Sequence, residues 1–430
     1  MTPQDTIPNT ERRTEQHSTG SASRFIGLDI HKHYLVAIGV DRDLNQVLGP
    51  QKVELLYLEQ WMAKTLRPED AVVIEMTTNT WQIYDDLLPH VGSITVVHPP
   101  HVALITRSQV MNDKIAASIL ARLLAKGLLV GIWVPPKEVQ ELRALIAQRN
   151  KLMRLVTQAK NRLHAILHRH HILPPAGDIF QPKQHDWWLS LKLDPAEKTN
   201  MLCDLETLAF VNQQVKRIEV TLKSLAAQDE RATRLVHLPG ISMINALTIL
   251  AAIGTIERFL SAKKLVGYAG LGARVHDSGQ TSRTGRITKA GRRDLRTAMV
   301  EAAQTASVRH PHWKAELKRL EPRLGRNKAI VAIARKLLVA VWHVLAKNET
   351  DSFAEPVNVA RKYLNYAYLL GKTNRSVDQK SVEFVRAQMD ALGLGMELVA
   401  IPWGPSRPPI PLPPSKLLPE KRERRPKVVP

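Results

Sequence analysis

At Arg24 a polar opening gives way to the run Phe25-Ile26-Gly27-Leu28-Asp29-Ile30, which sets a carboxylate among residues that fold by being buried. A charge in such a strand costs several kcal/mol unless something pairs with it, so the residue invites a reason for being there. The next apolar runs, HYLVAIGV and QKVELL, flank a turn at Asp41 to Asn45 and read with the first as three short strands in a meander. A helix near Tyr57 to Leu66, a strand AVVIE ending at Glu75, a helix around Trp81 to Leu88, a strand SITVVH and a helix from Asp113 to Ala125 follow. Three strands and then alternating helix and strand is the order of a ribonuclease-H-like α/β domain, here over residues 24–134. Residues 1–23 have no apolar period and read as a loose tail.

Glu75 repeats the pattern of Asp29, since an apolar strand again delivers an acid to its carboxyl end, where sites form in open α/β sheets. Asp113 opens a helix, and its plainest reading is an N-cap. Together Asp29, Glu75 and Asp113 carry the hard oxygen ligands for one or two Mg²⁺ ions, an arrangement that aligns attacking and leaving oxygens in phosphoryl transfer.

The charge balance names a partner for such a site. Sixty-one Lys and Arg against forty Asp and Glu leave a net charge of +21, which points to nucleic acid as the polyanion. The single cysteine, Cys203, excludes an intramolecular disulfide framework or a thiolate zinc cluster and fits a reducing compartment. No apolar run approaches the length of a bilayer span and the N-terminus has no signal-peptide core, so the expectation is a soluble, cytoplasmic protein with no membrane partner.

Pro135 and Pro136 close the first domain. Leu142, Leu145, Leu152, Val156, Ala159, Leu163 and Ile166 then recur at three- and four-residue spacing, interrupted by Arg149, and Leu205, Leu208, Val215, Ile218, Leu222 and Leu225 repeat the stripe. Two such seams over residues 135–230 suggest a coiled-coil segment, as a helical hairpin or a dimer contact. The polar face of the first helix carries Lys151, Arg154, Lys160, His164 and His168, a phosphate-contacting set. A mainly helical domain follows over 231–348, a helical extension over 349–400, and a tail over 401–430 that holds ten of the 27 prolines, carries EKRERRPK near its end and reads as an extended basic arm.

In the third domain Leu238-Pro239-Gly240-Ile241 before an apolar helix resembles a helix-hairpin-helix turn, whose glycine loop points backbone N–H groups at a phosphate. Further on, glycines lie among Arg283, Arg286, Lys289, Arg292, Arg293 and Arg296, which makes a phosphate-gripping loop. A serine inside it is a candidate nucleophile.

GLDIHK, the acid ending VVIE, NDKIAA, the basic helix QRNKLMRLVTQAKNRLHAIL, LPGI, and YAGL with SG, GRITKAG and an LR-x-A-x-x-EAA run together resemble the DEDD insertion-sequence transposases, the group that includes Piv-type DNA invertases. The resemblance runs from about Arg24 to about Ala303. It implies a RuvC-like first domain, a coiled-coil segment and a transposase domain that supplies a catalytic serine. It also implies a recombinase guided by a structured bridge RNA that pairs with donor and target DNA. The two helical seams, for their part, suggest a homodimer or a dimer of dimers. Asp29, Glu75 and Asp113 match the first three family acids; the fourth falls where this chain has Ala116. Ser278 best matches the serine, with Ser282 as the fallback.

Ala116 offers no ligand, so the expectation is retained nucleic-acid binding with impaired strand cleavage. Two other readings stand beside the recombinase: a metal-dependent nuclease or junction resolvase, in which the acids activate water, and a nucleic-acid-binding protein with no activity.

Overall fold

In a computed structural model, described over residues 22–100, 102, 112–278, 281–371, 381–404 and 407–418, the chain divides into two compact units at Pro136. Side chains of residues 275–278 and 281–284 lie outside the described set, as do nearly all of the expected N-terminal tail and the terminal EKRERRPK run.

In the first unit β1 (Phe25–Ile30), β2 (Tyr34–Val40) and β3 (Gln46–Glu54) form the antiparallel meander, with α1 (Leu58–Thr65) after it. β4 (Ala71–Glu75) lies parallel to β1, α2 (Thr80–Leu87) follows, and β5 (Ser93–Val97) lies parallel to β4. The sheet order is β3-β2-β1-β4-β5. Ile26, Leu28, Val72 and Ile74 pack on one face with Met62 and Leu87, whereas Phe25, Ala71 and Val73 pack on the other with Leu120, Ala121 and Leu124 of α3 (Asp113–Ala125). Covering on both faces is why β1 and β4 read as nearly unbroken apolar runs. Gly27 lets α3 ride directly on β1: a Cβ there would lie 2.1 Å from the Ala117 carbonyl oxygen and 2.7 Å from the Ala121 nitrogen. At the other end of the strands the fully buried Asp70 accepts two hydrogen bonds from Arg24, at 2.8 and 2.7 Å.

The second unit opens with α4 (Lys137–Arg169). After a connection that includes α5 (His185–Leu189), α6 (Pro195–Gln228) runs back along it. The ion pairs Arg149 to Glu219, Arg162 to Asp204 and Arg169 to Glu197 fix the antiparallel register, so the two apolar stripes pack on each other within one chain. Arg149 breaks the stripe because Glu219 answers it across the hairpin. Trp188 closes the connecting segment, buried, its indole N–H donating to the Ile179 carbonyl at 2.9 Å.

α7 (Glu230–Val236) and α8 (Met243–Ile253) flank the Leu238 to Ile241 turn, in which Gly240 has φ +76° and approaches Ala302 so closely that a Cβ would lie 2.0 Å from its carbonyl oxygen. Both the positive φ and the contact require glycine. α9 (Ala262–Tyr268) leads into a hairpin, β6 (Ala273–Ser278) with β7 (Thr281–Ile287), and then α10 (Arg293–Arg309), α11 (Pro311–Leu324) and α12 (Arg326–Lys347). By length and composition α12 is apolar enough to cross a bilayer, which corrects the expectation that no such run exists. Its Ile333, Leu337, Leu338 and Val341 are fully buried among neighbouring helices, the position of a core helix.

The segments expected as a separate helical region, a transposase domain and an extension share one core: Ile146 and Leu222 of the hairpin cluster with Leu247, Met299 and Leu337, and with Tyr363 of α13 (Pro356–Gly371) and Val385 of α14 (Ser381–Ala391). The extended arm expected from residue 401 is corrected over the described residues 401–404 and 407–418; its remaining residues lie outside the described set. β8 (Ala400–Ile401) pairs with β9 (Ile410–Pro411), and Ile401 and Leu412 join the same core. Prolines deprive this stretch of N–H donors, but its carbonyls still need partners. The buried Arg386 supplies one, donating to the Pro413 carbonyl at 2.7 Å while it also holds the Gly395 and Leu398 carbonyls just before the stretch, and Ser415 donates to Asp390 at 2.8 Å.

Candidate functional site

Alternation along β1 puts Gly27 and Asp29 on the face that α3 covers. Leu28 is paired in parallel with Ile74, so the residues that follow, Asp29 and Glu75, stand side by side on that face at the carboxyl ends of adjacent strands. Thr80, fully buried, donates its hydroxyl to the Glu75 and Thr77 carbonyls and so fixes the turn after Glu75. Asp113 arrives from the start of α3. The N-cap is Asn112, whose side chain accepts the Ile115 N–H at 2.9 Å, which corrects the capping role considered for Asp113. Released from capping, the Asp113 carboxylate accepts the Tyr34 hydroxyl at 2.9 Å.

The structure adds a residue that the acid pattern passes over. His31 Nε2 lies 3.4 Å from Asp29 Oδ2 and 3.3 Å from Asp113 Oδ2, and one ligand atom from each of the three residues falls within 4.8 Å of the others. Glu75 stands outside this tight group but close enough for the Asp29 charge to act on it. The signal for His31 was present in GLDIHK: two residues beyond Asp29 is the same face of an extended strand. Tyr34 carried no such signal, because its role depends on the β1–β2 turn, where the His31 N–H donates to the Tyr34 carbonyl at 2.8 Å.

The electrostatics are those of a site short of positive charge. Burial holds the Asp29 carboxyl above the usual range, with His31 opposing the shift and Asp113 adding to it. Glu75 is raised by burial and then by Asp29. The hydrogen bond to Asp113 raises the Tyr34 phenol. Among the described residues the buried His31 Nε2 meets no well-angled hydrogen-bond partner, because its approach to the two carboxylates has the distance but not the angles. Carboxylates that resist ionising, with an unengaged imidazole nitrogen between two of them, fit a divalent cation. Ala116 lies one helical turn from Asp113 on the same side of α3, and its methyl adds no ligand.

The basic candidates separate into groups. Lys151, Arg154, His164 and His168 are exposed on α4, and Lys160 is half-buried with its ammonium 4.6 Å above the Phe180 ring, which His164 also meets edge-on at 5.2 Å. Arg154, Arg292 and Arg293 are brought together, with Arg143, Arg149 and Ser242, in a groove of about 990 Å³ inside the second unit. Lys160, His164 and His168 are not among its lining residues. Arg292 pairs with Asp294 and Arg296 donates to the Ala269 carbonyl at 2.9 Å, so both are engaged internally. Gly240 belongs to the turn before α8, Lys289 has φ +55° in the loop after β7, and Arg286 is exposed. The backbones of Ser278, Ser282 and Arg283 lie in the hairpin, Ser278 opposite Thr281, and their side chains lie outside the described set.

A family model for DEDD transposases of the IS110 type matches residues 26–172, and a model described as transposase IS116/IS110/IS902 family matches residues 232–318. The chain belongs to this transposase family. It is 25% identical over 335 residues to the transposase for insertion sequence element IS1111A of Coxiella burnetii, covering 76% of this chain and 91% of that protein. The pilin gene-inverting protein of Moraxella bovis is 27% identical, over 64% of this chain and 80% of its own, and the transposase for insertion sequence element IS1328 of Yersinia enterocolitica is 26% identical, over 60% and 78%. This transposase is therefore a DNA recombination enzyme by family, and Asp29, Glu75 and Asp113 all fall within the segment that the DEDD model matches.

Proposed function

We propose that this chain is the RNA-guided, site-specific recombinase of an insertion sequence, using a Mg²⁺-binding carboxylate site and the Ser278 hydroxyl to cut and rejoin DNA in the bacterial cytoplasm. The observation that carries the reading is the convergence of Asp29, His31 and Asp113 at the carboxyl ends of parallel strands, beside Glu75. The order β3-β2-β1-β4-β5, antiparallel then parallel, is what a RuvC-like, ribonuclease-H-like domain requires and supports that fold for the first unit.

Mg²⁺ bound there would polarise the scissile phosphate and ease loss of the proton from the attacking hydroxyl. Asp29 and Asp113 offer hard oxygens for it, Tyr34 orients Asp113, and Glu75 lowers the potential further. By the family resemblance, the Ser278 oxygen bonds to phosphorus as the phosphodiester bond to the neighbouring nucleoside oxygen breaks. That oxygen takes the proton, and the strand stays linked as a phosphoserine ready for rejoining. The second unit supplies the cationic surface. Residues 1–136 hold twelve Lys and Arg against fourteen Asp and Glu, which leaves 49 against 26 in residues 137–430. That excess, with the arginine-lined groove, is suited to the phosphates of donor and target DNA and of the bridge RNA.

Ala116 favours reduced cleavage with binding retained. The test incubates purified protein, its copurifying RNA and donor and target duplexes with Mg²⁺. A discrete structured RNA and a covalent protein–DNA adduct that disappears in Ser278→Ala are expected, with a rise in adduct in Ala116→Asp. Cleavage without an adduct, accompanied by random RNA fragments, would replace this reading with a metal-dependent nuclease.

A further inference from the structure

The family's four-acid pattern leaves this chain with three, yet the structure puts a fourth donor among them from a different direction. We propose that His31 is itself a ligand of the divalent ion, through Nε2, in place of the acid missing at position 116, and that it shifts the preferred ion from Mg²⁺ toward Mn²⁺. The inference rests on the metal-site reading above.

Three observations carry it. The first is spacing: Nε2 stands 3.4 and 3.3 Å from the two carboxylate oxygens. Ligands at right angles around an ion with bonds of about 2.1–2.4 Å lie about 3.0–3.4 Å apart, so these atoms already have the separations of neighbouring ligands. The second is hydrogen-bond state. A protonated imidazole serving as counter-ion would aim an N–H squarely at one carboxylate, whereas Nε2 sits between two, shielded from solvent, with a well-angled hydrogen bond to neither. The third is orientation. The backbone of His31 is pinned by its N–H bond to the Tyr34 carbonyl, and its ring lies 4.7 Å from the Tyr34 ring. The Tyr34 hydroxyl then holds Asp113, so one residue positions both a nitrogen and an oxygen donor, the usual work of outer-shell partners at metal centres.

Chemistry sets the metal preference. Mg²⁺ binds through oxygen ligands and retained water, and gains little from a nitrogen donor. Transition ions gain from imidazole, increasingly along the series that begins at Mn²⁺. Exchanging an acid at 116 for His31 removes one negative charge and one hard donor, and both changes weigh against Mg²⁺ more than against Mn²⁺.

The test uses the full-length protein and Mn²⁺ alone, without nucleic acid. Mn²⁺ electron spin echo modulation should show a directly coordinated nitrogen that changes on ¹⁵N-histidine labelling and vanishes in His31→Gln. Calorimetric titration of the same variant should weaken Mn²⁺ binding at least about tenfold and Mg²⁺ binding much less. Circular dichroism of His31→Gln and His31→Ala confirms that the variants are folded, and the nitrogen signal of the unaltered protein stands without them. If Asp29→Asn abolishes Mn²⁺ binding but no histidine nitrogen is seen, or if His31→Gln binds Mn²⁺ as tightly as the unaltered protein, His31 is a counter-ion only and the inference fails while the metal site survives. Mn²⁺ binding unaffected by Asp29→Asn overturns the metal site and the inference together.

Discussion

Gly27→Ala tests the link between packing and site geometry in the first unit. The added Cβ would lie 2.1 Å from the Ala117 oxygen and 2.7 Å from the Ala121 nitrogen, both helix backbone, so no side-chain rotation relieves the clash. Non-bonded atoms of this kind settle at about 3.5 Å, so α3 must withdraw from β1 by roughly 1 Å or more. Overpacking of that order costs about 1–3 kcal/mol. The same displacement moves Asp113 away from Tyr34, whose hydrogen bond is 2.9 Å, and from His31, 3.3 Å away. Because two compact units make global unfolding a poor two-state measurement, the appropriate assay is hydrogen exchange read by mass spectrometry on peptides of β1 and α3. Exchange there should quicken by about 5- to 150-fold, the equivalent of 1–3 kcal/mol, and Mn²⁺ affinity should fall in the same variant. Gly49→Ala on β3 is the control, since its Cβ would meet nothing closer than 3.7 Å. Unchanged exchange and unchanged Mn²⁺ affinity in Gly27→Ala would refute the claim that helix-on-strand contact sets the site.

Without divalent ions, Asp29→Asn should gain stability over the unaltered protein as pH rises from 4 to 7. Burial raises the Asp29 pKa in the folded state, so the native chain loses stability as that group ionises and the amide does not; a pH series of exchange rates in β1 checks this. Lys362 runs the other way in the second unit: burial brings its pKa down to about 7, so the folded protein gains stability as pH climbs from 7 toward 10.5. Relative to Lys362→Met the native chain should therefore improve over that window, and a difference independent of pH would contradict the burial. In the groove, Arg154→Ala and Arg293→Ala should each weaken duplex binding regardless of sequence and reduce the slope of log affinity against log salt by about 1, measured by fluorescence anisotropy.

How much of the fold is legible in the sequence depends on how local each signal is. The strands of the meander, AVVIE and the helix from Asp113 were legible because apolar periodicity is a property of neighbouring residues. Arg149 is the contrasting case: the stripe showed the interruption but not Glu219, seventy residues away, which explains it. The proline-rich stretch after residue 401 misled for a related reason. Composition correctly forbids a ladder of N–H donors there, but the donor that anchors the segment is the buried guanidinium of Arg386 on another element. At the site, Asp29 and Glu75 were legible as acids at strand ends, whereas the choice of Asn112 over Asp113 as cap and the hydroxyl of Tyr34 on Asp113 depend on tertiary geometry.

The uneven division of charge makes the acid site intelligible in a chain of +21. With twelve Lys and Arg against fourteen Asp and Glu, residues 1–136 are close to neutral, and the excess resides in residues 137–430. Among the described residues no lysine pairs with Asp29 or Asp113, and Lys52 holds its ammonium over the Tyr34 ring at 3.9 Å. Burial then raises Asp29 and Glu75, with the His31 imidazole opposing the shift at Asp29, and a divalent cation is the group that would relieve all of these strains together. On this argument an acid at position 116 has two effects of opposite sign. It adds like charge to a site that already resists ionisation, so Ala116→Asp should destabilise the first unit when divalent ions are removed. It also deepens the demand for a cation, so the stabilisation gained on adding Mg²⁺, of order RT ln(1 + [Mg²⁺]/Kd), should be larger than in the native chain. Hydrogen exchange of β1 and α3 peptides with and without chelator reads both, and a variant that is neutral in both conditions would place position 116 outside the reach of the site.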